Sequence, residues 1–210
     1  MEIPADKSFD AFAMIVDINH FTTMVTKSQG NMIADFVRDT LSGAIHFIEE
    51  QEGEVVAHMG DAILGVLPTG EKTAYACFSI AKDLDRTCEY ISGEQPGAWD
   101  FAPGGPSLKI AVEYGNIDVA AISSRFMGAQ RLLIGDAINY ASRILSPGKG
   151  NRCHIGPVAA TMDPFSGYVL DGPLQTKGKS GEPEYTYFKL DLGNIWVEGP
   201  RKKGKETFWG

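Results

Sequence analysis

Residues Ala11-Phe12-Ala13-Met14-Ile15-Val16 form an apolar run with no polar side chain on either phase of the alternation, and Asp17 closes it. Successive side chains of a strand point to opposite faces, so a run that is apolar on both phases must lie inside a sheet covered on both sides. The chain is therefore built around a buried central strand that presents a carboxylate at its end.

Helical and strand periods alternate after this point. Met32, Ile33, Phe36, Val37, Leu41, Ile45 and Ile48 recur at helical spacing, which predicts one long amphipathic helix from Ser28 to about Gln51, stopped by Gly53. Glu54–His58 and Ala62–Leu67 read as a hairpin around Met59-Gly60-Asp61, and Glu71 to about Tyr90 as a second helix. Gly93 to Ser107 is rich in Gly and Pro and reads as a loop. Leu108–Tyr114 and Ile117–Ser123 read as a second hairpin, Arg131–Ile134 as a short strand, and Asp136 to about Leu145 as a helix ended by Pro147 and Gly148. Short strands with one helical turn follow to Leu190. The order β-α-β-β-α-β predicts an α+β fold, with a mostly antiparallel sheet and helices on one face, resembling a ferredoxin-like core with additions. Residues 1–190 form the expected domain. Residues 191–210, with Trp196, Arg201, Lys202, Lys203, Lys205 and Trp209, form a C-terminal extension.

Composition narrows the function classes. A hydrophobic fraction of 43% and a charged fraction of 22% are ordinary for a globular chain. A net charge of −8 disfavours general binding to nucleic acid or an anionic membrane, so any polyanion must be held at one local site by metal ions or a few fixed cations. No apolar run is long enough to span a bilayer, and the N-terminus lacks a secretory pattern. Cys77, Cys88 and Cys153 are odd in number and match no metal or disulfide framework. A reducing cytoplasm is the expected setting.

Three groups of residues suggest chemistry, and each also has a plain structural reading. Asp17, at a strand end, and Asp61, in the Gly60-Asp61 turn, could together form an oxygen-rich divalent cation site; a helix cap and ordinary turn chemistry are the alternatives. Asn139 and Arg143 lie four apart on the predicted helix and share a face, where the guanidinium suits phosphate oxygens and a solvated polar stripe is the alternative. Lys177, in Thr176-Lys177-Gly178-Lys179, could hold a phosphate as a point charge or sit in a surface loop.

Taken in order, these segments resemble the catalytic domain of class III adenylyl and guanylyl cyclases. The residues that carry the resemblance are Asp17-Ile18-Asn19-His20-Phe21-Thr22, Met59-Gly60-Asp61-Ala62, Gly135-Asp136-Ala137-Ile138-Asn139-Tyr140-Ala141-Ser142-Arg143, and Lys177-Gly178, spanning about Phe12 to Leu190. The resemblance implies that Asp17, Asp61 and the backbone carbonyl of Ile18 hold two Mg²⁺ or Mn²⁺ ions. It implies that Asn139 orients the ribose, Arg143 stabilises charge on the α-phosphoryl oxygens, and Lys177 holds the terminal phosphates. The family takes the metal pair from one subunit and Asn, Arg and Lys from the other. One chain carrying all five implies a homodimer with two active sites that cyclises a nucleoside triphosphate and releases pyrophosphate.

The chain departs from the family at three places. His20 stands where glycine is usual, and is expected to pack near the metal strand. The two positions that usually read a purine are Ala57, three residues before Gly60, and Leu132, three before Gly135. Neither side chain can hydrogen-bond a base. An altered base pocket beside a retained phosphate and metal set is similar to the pyrimidine cyclases of bacterial Pycsar anti-phage systems. That resemblance implies a cyclic pyrimidine nucleotide, cyclic UMP or cyclic CMP, acting on a separate effector protein; UTP is the favoured substrate, and Tyr114, Glu113 and Arg131 are the candidate base contacts in this chain. The competing expectations are a purine cyclase with an unusual base pocket and a catalytically silent nucleotide-binding or dimerisation module.

Overall fold

In the computed structural model the apolar run lies in strand β1 (Phe9–Ile18), and it is central as its pattern requires. The structure describes residues 7–27, 32–94, 106–124, 128–145, 152–168 and 170–192. After β1 come helices α1 (Phe21–Lys27) and α2 (Met32–Glu50), strands β2 (Glu54–His58) and β3 (Ala62–Leu67), and helix α3 (Gly70–Glu94). Strands β4 (Leu108–Ser124) and β5 (Gly128–Ile134) follow, then helix α4 (Asp136–Ile144), strand β6 (Arg152–Ile155), the short helix α5 (Pro157–Thr161), a 3-10 turn (Phe165–Gly167), and strands β7 (Asp171–Lys177) and β8 (Glu184–Asp191).

The sheet order is β2-β3-β1-β4-β6-β8-β7, with β5 paired to the outer half of β4. Strand β1 is antiparallel to β3 on one side and to β4 on the other, so Asp17 lies opposite both Ala62 and Lys109. Among the described strands the β4–β6 pair alone is parallel, in keeping with the mostly antiparallel expectation.

Alternation along β1 divides the interior in two. Phe12, Met14, Val16 and Ile18 enter the larger core with Phe36 and Ile48 of α2 and Ile80 and Leu84 of α3. Ala11, Ala13 and Ile15 face the other way, toward Ala137, Ala141 and Ile144 of α4. Helices therefore cover both faces of the sheet, which corrects the one-face expectation. A strand apolar on both phases needs cover on both sides, and α4 supplies the second layer. Its alanines keep the helix axis close to the strands, and the position of a Cβ on Gly115 would be only 3.6 Å from that of Ala137.

Two further expectations change. The second hairpin is one continuous strand, β4: Gly115 and Asn116 read as a turn, yet they pair in register with Ala11 and Asp10 of β1. Pairing along the whole of β1 outweighs the local turn preference of Gly-Asn. The hairpin partner of the outer half of β4 is β5. The long helix is α2 from Met32, with residues 28–31 outside the described residues, and α1 precedes it. The sequence reading missed α1 because Thr22, Thr23, Val25 and Thr26 are weak helix formers. Strand β8 runs through Asp191 and Leu192 is buried, so the body reaches residue 192. The rest of the expected extension, 193–210, lies outside the described residues, as does most of the expected loop at 95–105.

Candidate active site

Backbone pairing brings the two carboxylates together. The β2–β3 turn closes through the Met59 N–H donating to the Ala62 carbonyl at 2.8 Å, with Gly60 at φ +73, a conformation favoured by glycine in tight hairpins. The Ile18 N–H donates to the Asp61 carbonyl at 3.2 Å and ties that turn to the end of β1. Asn19 is buried just beyond, donating its N–H to the Ser107 carbonyl and its Nδ2–H to Ser107 Oγ, each at 2.8 Å.

Burial raises the pKa of the Asp17 carboxyl; the Lys109 ammonium, 3.5 Å away, opposes the rise, and the charge of Asp61 adds to it. The ionised Asp17 carboxylate is thus held at a cost that a nearby cation reduces. Two carboxylates and a backbone carbonyl at Ile18 suit Mg²⁺ or Mn²⁺, which bind proteins through one or two carboxylates and leave the remaining positions to water and phosphate. The side chain of Ile18 is buried in the larger core, so only its backbone is available. Among the described residues no set of three His, Cys, Asp or Glu converges, so the protein's share of a metal site here is sparse.

Asn139 and Arg143 do share a face of α4. Ala137, Ala141 and Ile144 are buried against the sheet, and at about 3.6 residues per turn Asn139 falls on the side turned away from it. Among the described residues no hydrogen bond or ion pair links Asn139 or Arg143 to Asp17 or Asp61. Arg143 is held by Glu182 in the β7–β8 loop: its Nε donates to Oε2 at 2.6 Å and its Nη2 to Oε1 at 2.7 Å. That bond raises the arginine's pKa and lowers the pKa of Glu182. Lys177 ends β7, exposed, opposite Glu184. The hairpin that carries Lys177 is therefore clamped to α4 through Arg143.

The candidate base positions differ in setting. Ala57 follows a bulge in β2 and is half-buried beside Ile15 and Leu64. Leu132 points outward from β5, 42% exposed, on the same face as Ile122 and Ile134. Its neighbour Leu133 takes the inward position, packed against Ala11, Val66 and Ala137. Glu113 is buried and accepts the N–H groups of Tyr114 and Ala159, each at 2.8 Å, so its carboxylate is already engaged by its own backbone. Burial raises its pKa, and the N–H donors oppose the rise. The Tyr114 ring rests on Phe12, 4.8 Å between centroids, and Arg131 pairs with Glu54 of β2.

His20 is exposed with φ +64, so the packing expectation fails. The position requires a left-handed backbone, which glycine adopts freely and histidine tolerates better than most residues. Sequence reasoning missed Lys109 and Glu182. Lys109 had a visible signal, an isolated charge within the apolar run Leu108–Val112. Glu182 had none, because its role depends on a contact with Arg143, 39 residues away.

The sequence matches the profile described as the adenylate and guanylate cyclase catalytic domain over residues 5–191. No curated protein matches it significantly. Among solved structures, the guanylyl cyclase Cya2 superposes with a TM-score of 0.74 at 14% identity, covering 97% of this chain and 99% of that one. A bacterial light-regulated adenylyl cyclase gives 0.71 at 14% identity, covering 91% and 95%. The guanylate cyclase domain of RhGC from Catenaria anguillulae, solved with GTP, gives 0.66 at 17% identity, covering 88% and 98%. At such identities the superpositions show a common fold, and the profile match across nearly the whole chain shows the family. With Asp17 near the end of a buried strand, Asp61 in a turn pinned against it, and Asn139 and Arg143 on one helix, the chain has the α+β scaffold those cyclases share, and it belongs to the adenylate and guanylate cyclase catalytic domain family.

Proposed function

We propose that the protein is a homodimeric pyrimidine nucleotide cyclase, converting UTP, in preference to CTP, to the 3′,5′-cyclic nucleotide and pyrophosphate. The observation that carries this reading is the contrast between the base positions and the phosphate and metal residues. Ala57 and Leu132 offer no hydrogen-bonding group, while Asp17, Asp61, Asn139, Arg143 and Lys177 are all retained. A purine held against Ala57 and Leu132 would leave its polar edge unpaired, a loss that costs several orders of magnitude in discrimination.

In this reading Asp17 and Asp61 bind a pair of Mg²⁺ or Mn²⁺ ions, which supply Lewis acidity to the attacking hydroxyl and the phosphates. Asn139 orients the ribose, Arg143 offers its guanidinium to the α-phosphoryl oxygens, and Lys177 neutralises the terminal phosphates. The outward direction of Asn139 supports a site completed by a second copy: a side chain turned away from its own sheet serves the Asp17–Asp61 pair of a partner. The apolar outer side of the β4–β5 ribbon, with Ile122, Leu132 and Ile134 exposed, supports burial of that region in a dimer. One of the similar structures, the guanylyl cyclase domain of the RhoGC fusion protein from the aquatic fungus Blastocladiella emersonii, is a non-canonical dimer. No described helix is long and apolar enough to cross a membrane. The proposed setting is the bacterial cytoplasm, where the cyclic pyrimidine nucleotide signals phage infection to a separate effector protein.

The test is to incubate the purified protein with ATP, GTP, CTP and UTP separately, with Mn²⁺, and to identify products by mass spectrometry beside an Asp17→Ala control. Cyclic UMP or cyclic CMP alone is the expected product. Cyclic AMP or cyclic GMP would overturn the base argument and keep the cyclase. No product from any nucleotide, with binding intact, would make the chain a silent nucleotide-binding module.

A further inference from the structure

We infer that Glu182 is a positioning residue for Arg143, fixing the guanidinium so that one edge is held by the protein while another is presented to the α-phosphoryl oxygens. The inference rests on the proposed role of Arg143 and adds a residue to it.

The geometry of the ion pair carries the argument. Arginine has five N–H donors in a rigid plane. Glu182 takes the Nε–H and one Nη2–H, at 2.6 and 2.7 Å, along the side edge of the guanidinium. The Tyr185 hydroxyl lies near the guanidinium as a weaker partner, and beyond the two bonds to Glu182 the Nη1 hydrogens and the second Nη2 hydrogen make up the end-on edge. Phosphate oxygens fit that edge in a two-point contact. A carboxylate placed this way does not compete with the phosphate for the same donors. It restricts a side chain that otherwise rotates about four single bonds, so less ordering remains for the transition state.

Glu182 is itself fixed. The Glu182 N–H donates to the Lys179 carbonyl at 2.8 Å, and the Lys179 N–H returns to Glu182 Oε2 at 3.0 Å. Residues 179–182 thus form a tight turn, with Gly181 at φ +88 in the third position, where a type II turn demands a left-handed residue. Gly178 makes room for it: a Cβ there would lie 2.6 Å from Glu182 Cβ and 2.8 Å from Oε2. The Tyr185 hydroxyl lies 3.5 Å from Oε2, at the outer limit of a hydrogen bond. The segment that holds Glu182 begins beside Lys177, so one rigid turn sets the arginine directly and the lysine by continuity of chain. The negative charge placed near the phosphates is offset by Lys177 at the end of β7 and Lys179 at the start of the turn.

The opposite role for the same contact is a clasp that withholds Arg143 until it is released. The two roles predict opposite signs. Turnover is measured for wild type, Glu182→Gln, Arg143→Ala and the double variant, at saturating and limiting nucleoside triphosphate with Mn²⁺. Glutamine keeps an oxygen acceptor for the Lys179 N–H but loses the charge that holds the guanidinium. The expected result is a fall in kcat on the order of tenfold for Glu182→Gln, with KM changed by less than about threefold. In the Arg143→Ala background the same substitution is expected to change kcat by less than about twofold, because a residue acting through Arg143 has nothing left to position.

A rise in kcat for Glu182→Gln overturns positioning in favour of the clasp. An unchanged kcat, or an equal loss in both backgrounds, also overturns it, the latter assigning Glu182 to the stability of the hairpin. Arg143→Ala at wild-type turnover refutes the proposed role of Arg143 itself, and so is distinguished from a failure confined to Glu182.

Discussion

Asn139 projects from the outer side of α4 and Arg143 lies beside it, held by Glu182, while Asp17 lies near the end of β1 and Asp61 in the β2–β3 turn, so the proposed two-subunit site makes a quantitative prediction about mixed dimers. Arg143→Ala removes a charge-stabilising donor and should lower turnover by about 10²–10³. Asp17→Ala removes half of the carboxylate pair and should be at least as severe. Neither homodimer retains an intact site. A dimer with one subunit of each kind has one site in which wild-type Asp17 meets wild-type Arg143, and a second site carrying both lesions. Co-expression with two different affinity tags, followed by sequential purification, isolates that mixed dimer. Its turnover should be roughly half that of wild type, some 50- to 500-fold above either parent. A mixed dimer of Asn139→Ala with Arg143→Ala is the control. Both lesions lie on the same face of the same helix, so each site loses one residue and no activity should return. If the first mixed dimer is no more active than its parents, or the control recovers equally, the site is not assembled across subunits and the reasoning from the direction of α4 fails.

Three further predictions concern the buried carboxyl groups. Glu113→Ala leaves the N–H groups of Tyr114 and Ala159 without their carboxylate acceptor, at about 1–3 kcal/mol each, so the melting temperature should drop by roughly 4–24 °C in a calorimetric or dichroism scan; a drop within about 1 °C would show that water replaces the carboxylate. Because burial raises the folded-state pKa of Glu113 above its ordinary 4.5, the protonated form is favoured on folding, and this contribution to stability is present below that value and lost as pH rises through the raised one. Glu113→Gln should therefore flatten the pH dependence of the melting temperature over this window, and an unchanged slope would count against the assignment. Asp17→Asn should make the metal-free protein melt higher at neutral pH, since burial disfavours the ionised carboxylate, while abolishing turnover and the stabilisation conferred by Mn²⁺. A lower melting temperature would mean that the Lys109 pair outweighs the desolvation.

The residues of the candidate site were legible one by one, but the contacts among them were not. Asp17 was marked by the strand it closes, Asp61 by its turn, and Arg143 by its spacing from Asn139. Local pattern carried those because each signal lies within one element. Glu182 and the Asp17–Lys109 pair were invisible as contacts, since the partners are separated by 39 and 92 residues and no period relates them. The misread hairpin in β4 has the same origin. Gly115-Asn116 is a turn signal on its own, and only β1 alongside makes it a strand interior.

What the amino-acid sequence determined by itself was the buried central strand, the helical and strand periods, the carboxylates at their ends, and a motif order specific enough to mark a cyclase. These follow from alternation, spacing and turn chemistry, which act over a few residues. Tertiary structure alone decided that α4 covers the second face of the sheet, that Asn139 lies on the side of α4 away from that sheet, and that Glu182 holds Arg143. Those outcomes depend on which faces pack together, and burial of apolar surface selects them among arrangements that local preference leaves equal.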